Sequence, residues 1–96
     1  MSKYQNGKIY KIWDFGYNQC YVGSSCQNLK RRFTKHRNSY TSYLAGKSGF
    51  VSAYALFDEY GVENCKIEVV EYYACNNKEE LEAREGQIQR EVDCIN

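Results

Sequence analysis

The stretch Gly7-Lys8-Ile9-Tyr10-Lys11-Ile12-Trp13-Asp14-Phe15 narrows the choice of fold more than any other segment of the chain. Its β-branched and aromatic residues read as a strand. Alternation sends Tyr10 and Ile12 to one face and Ile9, Trp13 and Phe15 to the other, so large apolar groups stand on both. A strand written this way belongs in the middle of a sheet that is covered from both sides. Gly16-Tyr17-Asn18 is a turn, and Gln19 to Ser24 a second strand, which together make a hairpin. With Gly16-Tyr17 as a two-residue loop, Tyr10 lies opposite Gly23, and Tyr21 is its diagonal neighbour on the same face. A three-residue loop would break that parity unless a bulge restored it.

The next segment, Leu29 to Arg37, holds five of the thirteen Lys and Arg residues and the single histidine. At 100° per residue, Leu29, Phe33, Tyr40 and Leu44 share one helical face, while Arg32, His36 and Tyr43 follow one edge of it. Arg31 and Lys35 point to solvent. Asn28 is placed to cap a helix that runs to about Leu44. Taken alone, such a run is a solvated basic helix whose aliphatic stems lie on the core. Gly46 and Gly49 bracket a break. Phe50 to Tyr60 follow as a second helix, with Phe50, Tyr54, Phe57 and Tyr60 on its apolar face and Gly61 just past its end.

Lys66 to Tyr73 is a third strand. Asn77 then caps a third helix with Glu79 and Glu80 in its first turn, reaching about Arg90. Leu81, Ile88 and Val92 make the stripe of that helix, and Glu85 falls within it. A carboxylate on a buried face is costly unless it meets a cation or a metal; the ordinary alternative is a Glu at the rim of the stripe, paired with Lys or Arg. The expected fold is α/β in the α+β sense, in the order β-β-α-α-β-α. It is a three-stranded antiparallel sheet, first strand central, flanked by three helices. Residues 1–96 form one domain, of a length that allows a modest core, with residues 1–6 flexible.

No stretch approaches the ~18 consecutive apolar residues of a membrane span, and the first six residues lack the apolar segment of a secretory signal. A soluble protein of the cytoplasm or nucleus is expected. Five cysteines (20, 26, 65, 75, 94) in an odd number, without C-x₂₋₄-C spacing, read as reduced, mostly buried small hydrophobes rather than a zinc or disulfide framework. The net charge is only +1, yet it is unevenly spread. Residues 1–48 carry nine Lys/Arg against one acid, and residues 49–96 four against eleven. Such asymmetry points to one basic face for a polyanion, unless folding interleaves the halves.

Five landmarks stand in one register: Gly7-Lys8-Ile9-Tyr10, Tyr21-Val22-Gly23 after a ten-residue gap, Arg32-x-x-x-His36, the core-facing Glu85, and Asn96. This order resembles the GIY-YIG nuclease family over Gly7 to Asn96, nearly the whole chain. Two departures stand out. Lys8 occupies the place of the family's first Gly, with Gly7 one position earlier, and Tyr-Val-Gly replaces Tyr-Ile-Gly.

The resemblance implies a metal-dependent DNA endonuclease that makes nicks or, with two active sites, double-strand breaks. Glu85 would be the single protein ligand of Mg²⁺ (or Mn²⁺), one ion per site. Arg32 would hold the scissile phosphate, and Tyr10 would take a proton from water. An unperturbed phenol is a poor base at neutral pH, so Arg32 and the metal are expected to lower the pKa of Tyr10. His36, with a pKa close to neutral, would then take the phenolic proton. Tyr21 would support the tyrosine pair by hydrogen bonding. Asn96 would position Glu85 or the hairpin, although as the last residue it is expected to fray. Lys30, Arg31, Lys35, Arg37 and Lys47 are assigned to non-specific phosphate contacts. DNA is the expected partner, with a homodimer or a separate DNA-recognition partner completing target choice. Two rival readings are a non-catalytic nucleic-acid-binding module that retains the nuclease fold, and an interaction domain whose acidic half masks a basic partner.

Overall fold

A computed structural model describes residues 3–96. The hairpin forms as β1 (Lys8–Asp14) and β2 (Cys20–Ser25), and β3 (Cys65–Tyr72) pairs with the other edge of β1. All pairings are antiparallel in the order β2-β1-β3, so the strand with two apolar faces is central, as its alternation requires. Tyr10 faces Gly23 and Ile12 faces Tyr21, the register of a two-residue loop. The connection itself is longer and is organised by Asp14. This carboxylate is only 2 % exposed and accepts from the backbone of Gly16, Asn18 and Gln19 and from the Asn18 amide. Burial acts to raise its pKa, but the hydrogen bonds from Gln19 and Asn18 outweigh it and hold the carboxyl below its usual value. On β3 the partners of Ile9 and Tyr10 are Glu71 and Val69, which leaves Val70 as the extra residue of a bulge.

Helices α1 (Leu29–Leu44) and α2 (Tyr54–Tyr60) cover one face of the sheet. There Tyr10 and Ile12 pack with Leu56 and Phe57, and Leu29, Phe33 and Tyr40 close over them. On the other face, α3 (Lys78–Glu91) sets Leu81 and Ile88 against Ile9, Cys20 and Val22. The Asn28 side chain accepts from the amides of Lys30 and Arg31, and that of Asn77 from Glu80, so both expected caps form.

Helix α2 begins later than the apolar pattern suggests. Ala53 offers no capping side chain, and Tyr54, Ala55 and Leu56 bond three residues back instead of four. Phe50 therefore stands outside the helix, 59 % exposed, with its ring edge against Tyr43 and Tyr54. Leu44, expected on the apolar face, lies in the last turn of α1 and is also exposed.

Residues 3–6 form a 3-10 turn whose Tyr4 carbonyl accepts from Gly7 and Cys75, while the Gln5 amide donates to Cys75 O. The expected flexibility of residues 1 and 2 lies outside the described residues. Gly7 owes its identity to this corner, because a Cβ there would sit 2.5 Å from the Tyr73 carbonyl oxygen. The close approach falls at residue 7, so position 8 is free to carry Lys8, whose Nζ donates to Gln27 O. All five cysteines are free, with Cys20, Cys65 and Cys75 buried. Among the described residues no helix is long and apolar enough to cross a membrane.

Candidate active site

The site starts from a missing side chain. Tyr10 is completely buried and its ring lies over Gly23, where a Cβ would come within 2.5 Å of the phenolic oxygen and 2.6 Å of Cζ. Helix α1 supplies two groups one turn apart. His36 Nε2 lies 2.8 Å from the Tyr10 oxygen, and Arg32 Nε donates to the same oxygen at 3.2 Å. Arg32 can only donate, so the arrangement that gives the phenol's own proton a partner sends it to His36 Nε2, with the imidazole hydrogen on Nδ1. The Tyr21 ring stands 6.5 Å from that of Tyr10 and edge-on to His36 at 5.8 Å.

Burial raises the Tyr10 pKa, and it outweighs the nearby Arg32 guanidinium, which acts in the expected direction. Tyr21 is pushed up to about 12, by burial first and then by Tyr10 and Glu85. His36, 6 % exposed, is pulled down to about 4 by burial, then by the charges of Arg32 and Lys35. An isolated imidazole near neutrality was the wrong reference, because enclosure between α1 and the hairpin penalises its cation. At rest the site holds a neutral phenol donating to a neutral imidazole.

Glu85 comes from the helix on the opposite face and meets the site at edge strand β2. Its Oε1 accepts from Ser24 Oγ at 2.5 Å and its Oε2 from Gln89 Nε2 at 3.0 Å. Its charge acts to raise both the Tyr10 and Tyr21 pKa. Among the described residues the ion pairs are Lys78–Glu82 and Arg84–Glu71. Glu85 belongs to neither, so the alternative of a Glu paired with Lys or Arg does not hold. Asn96 is tied down rather than frayed. Its amide nitrogen donates to Val22 O at 2.7 Å and its Oδ1 accepts from Val22 N at 2.8 Å. It thus holds the hairpin, while Gln89, which also donates to Val22 O, holds Glu85. Ser24 and Gln89 escaped the sequence reading, although Gln89 lies four residues after Glu85 on one helix face.

Arg32 spends only Nε on Tyr10. Among the described residues its two terminal nitrogens meet no protein acceptor, and with Lys35 it lines a cleft of about 590 Å³. Lys30, Arg31, Arg37 and Lys47 are exposed. No cluster of three His, Cys, Asp or Glu side chains occurs among the described residues. One carboxylate with a neighbouring hydroxyl suits a hard divalent ion that keeps most of its water and takes a phosphate oxygen, and does not suit an ion caged by protein.

The model of the GIY-YIG catalytic domain matches residues 6–93, which include all of these side chains except Asn96. Neither the curated proteins nor the solved structures contain a match to the chain.

Proposed function

The chain belongs to the GIY-YIG family, a nuclease-type domain, and from that premise we propose that it is a metal-dependent DNA endonuclease acting through Tyr10, Tyr21, Arg32, His36 and Glu85. The observation that carries this reading is the Tyr10 oxygen held between Arg32 and His36, within reach of the charge of Glu85, a carboxylate with no Lys or Arg partner among the described residues. A half-buried acid left unpaired is expensive for stability alone, and it is suited to a cation that arrives with substrate.

Arg32 binds the scissile phosphate through the two nitrogens that Tyr10 leaves free and offsets the charge growing on its oxygens. Glu85 would hold Mg²⁺ or Mn²⁺, its carboxylate steadied by Ser24 and Gln89. When bound, that ion supplies positive charge beside the phenols and polarises a phosphate oxygen. Water attacks phosphorus and its proton passes to the Tyr10 oxygen, as the phenolic proton moves to His36 Nε2 along the hydrogen bond already in place. The P–O bond to the 3′ oxygen breaks, and that oxygen leaves with the electron pair. At rest the same transfer is uphill, because burial raises the Tyr10 pKa and pulls that of His36 down to about 4. The phenol therefore keeps its proton at rest. Asn96 keeps β2, and with it Gly23 and Tyr21, in register.

Plasmid incubated with the protein and Mg²⁺ is expected to be nicked. Arg32→Ala and Glu85→Gln should each reduce the rate by a factor of about 100 or more. Variants that keep the wild-type rate would remove both residues from the reaction.

A further inference from the structure

The cleft beside Arg32 and Lys35 runs to the start of α3, with the β2–α1 connection as its floor and Lys3, Lys78 and Leu81 on its far side. Four cations (Lys3, Arg32, Lys35 and Lys78) line it against one acid, Glu82, which pairs with Lys78 at 3.5 Å. Lys3 and Lys78 lie outside the basic helix and have no part in the site described above. The Lys78 side chain is 71 % exposed, and its ammonium is accessible to an anion. The lining includes Arg32 and Ser24, the residue that donates to Glu85, so the cleft is joined to the site through both. At about 590 Å³ it falls in the range that encloses a drug-sized molecule. That space has room for a nucleotide or two of a single strand.

We propose that this cleft binds an unpaired stretch of nucleic acid beside the scissile phosphate, Lys3 and Lys78 contacting phosphates beyond the one that Arg32 holds. Cations for the backbone together with an aromatic surface for sugar and base are what tracks a single strand, and the half-buried Tyr4, with the Lys3 ammonium 5.4 Å from its ring centroid, supplies that surface in front of buried Leu81. The substrate is then DNA whose nucleotides flanking the cut are unpaired, as in a flap, an overhang or a gap. The proposal rests on the nuclease reading for what is cut, but not for what is bound.

Binding of a fluorescent oligothymidine, followed by anisotropy over a salt series without metal, tests it. Two lost contacts on a single strand should lower the salt slope of the Lys3→Ala/Lys78→Ala double variant by about 1.4 and weaken binding several-fold at low salt. Glu82→Gln frees Lys78 and should tighten binding. Circular dichroism checks that these surface variants stay folded. An unchanged affinity and slope in the double variant overturns the proposal. With Mg²⁺, a flapped duplex should be cut faster than a fully paired one, and the double variant should lose that preference. Equal cutting of both duplexes by wild type and double variant overturns the cleft but keeps the nuclease. Lysine-dependent oligothymidine binding with no cleavage at all keeps the cleft and removes the nuclease.

Discussion

At the scale of single residues, the site is governed by what burial does to protons. His36 shares the phenolic proton of Tyr10 only because it is neutral, and enclosure with Arg32 and Lys35 nearby keeps it so down to about pH 4. The folded-state pKa is depressed below the ordinary 6.5, which fixes the sign of the effect on stability. Above the ordinary value both folded and unfolded chains carry neutral imidazole, and His36 contributes nothing to pH dependence. As pH falls below it, the unfolded chain gains a proton that the folded chain refuses, and stability is lost until the folded imidazole also protonates near pH 4. Between about pH 7.5 and 5 this amounts to roughly 2 kcal/mol. Urea unfolding at those two values should register the loss in wild type and a clearly smaller one in His36→Gln. Equal losses in both would mean that His36 titrates normally. None of this was legible in the sequence, where the Arg32-x-x-x-His36 spacing fixes who meets Tyr10 but not how dry the meeting place is.

At the scale of elements, β2 is an edge strand with the site on it, and an open edge is a weak place to hold a register. The chain beyond α3 closes it. Ile95 N donates to Cys20 O, and the Asn96 side chain pairs with both backbone groups of Val22, imitating one rung of a fourth strand. Asn96→Ala should therefore cost about 1–2 kcal/mol and speed exchange of the Val22 amide hydrogen, whereas Asn96→Asp, which keeps the acceptor, should protect that amide largely as wild type does. Native-state hydrogen exchange decides the matter, and an unaltered Val22 amide in Asn96→Ala would show the contact to be dispensable. The elements themselves were largely legible. Two-sided apolar alternation placed β1 in the centre, and Tyr10 opposite Gly23 followed from parity. Glu85 stood out as the one charge in an apolar stripe. The late start of α2 was hidden because periodicity detects the face of a helix and not the absence of a cap. Asp14 as hub of the turn was hidden because its donors assemble only once the loop has closed.

At the scale of the molecule, much of the basic half of the sequence gathers on α1 and much of the acidic half on α3, although Asp58 and Glu59 of α2 share the α1 face. Arg31, Arg32, Lys35 and Arg37 ride on α1, whereas Glu79, Glu80, Glu82 and Glu91 ride on α3. The basic face is long as well as charged. Lys30 lies in the first turn of α1 and Lys47 just past its end, and a 16-residue helix spans about 24 Å. That distance matches about seven base pairs at 3.4 Å each. A duplex can reach both lysines only by running along the helix. If each makes one phosphate contact, Lys30→Ala/Lys47→Ala should lower the salt slope of binding to a long duplex by about two. On a duplex of about five base pairs only one lysine can engage at a time, and the same double substitution should then cost about one. Titrations on the two lengths separate a helix-long contact from a local one, since equal slopes on both would place the duplex across α1 rather than along it.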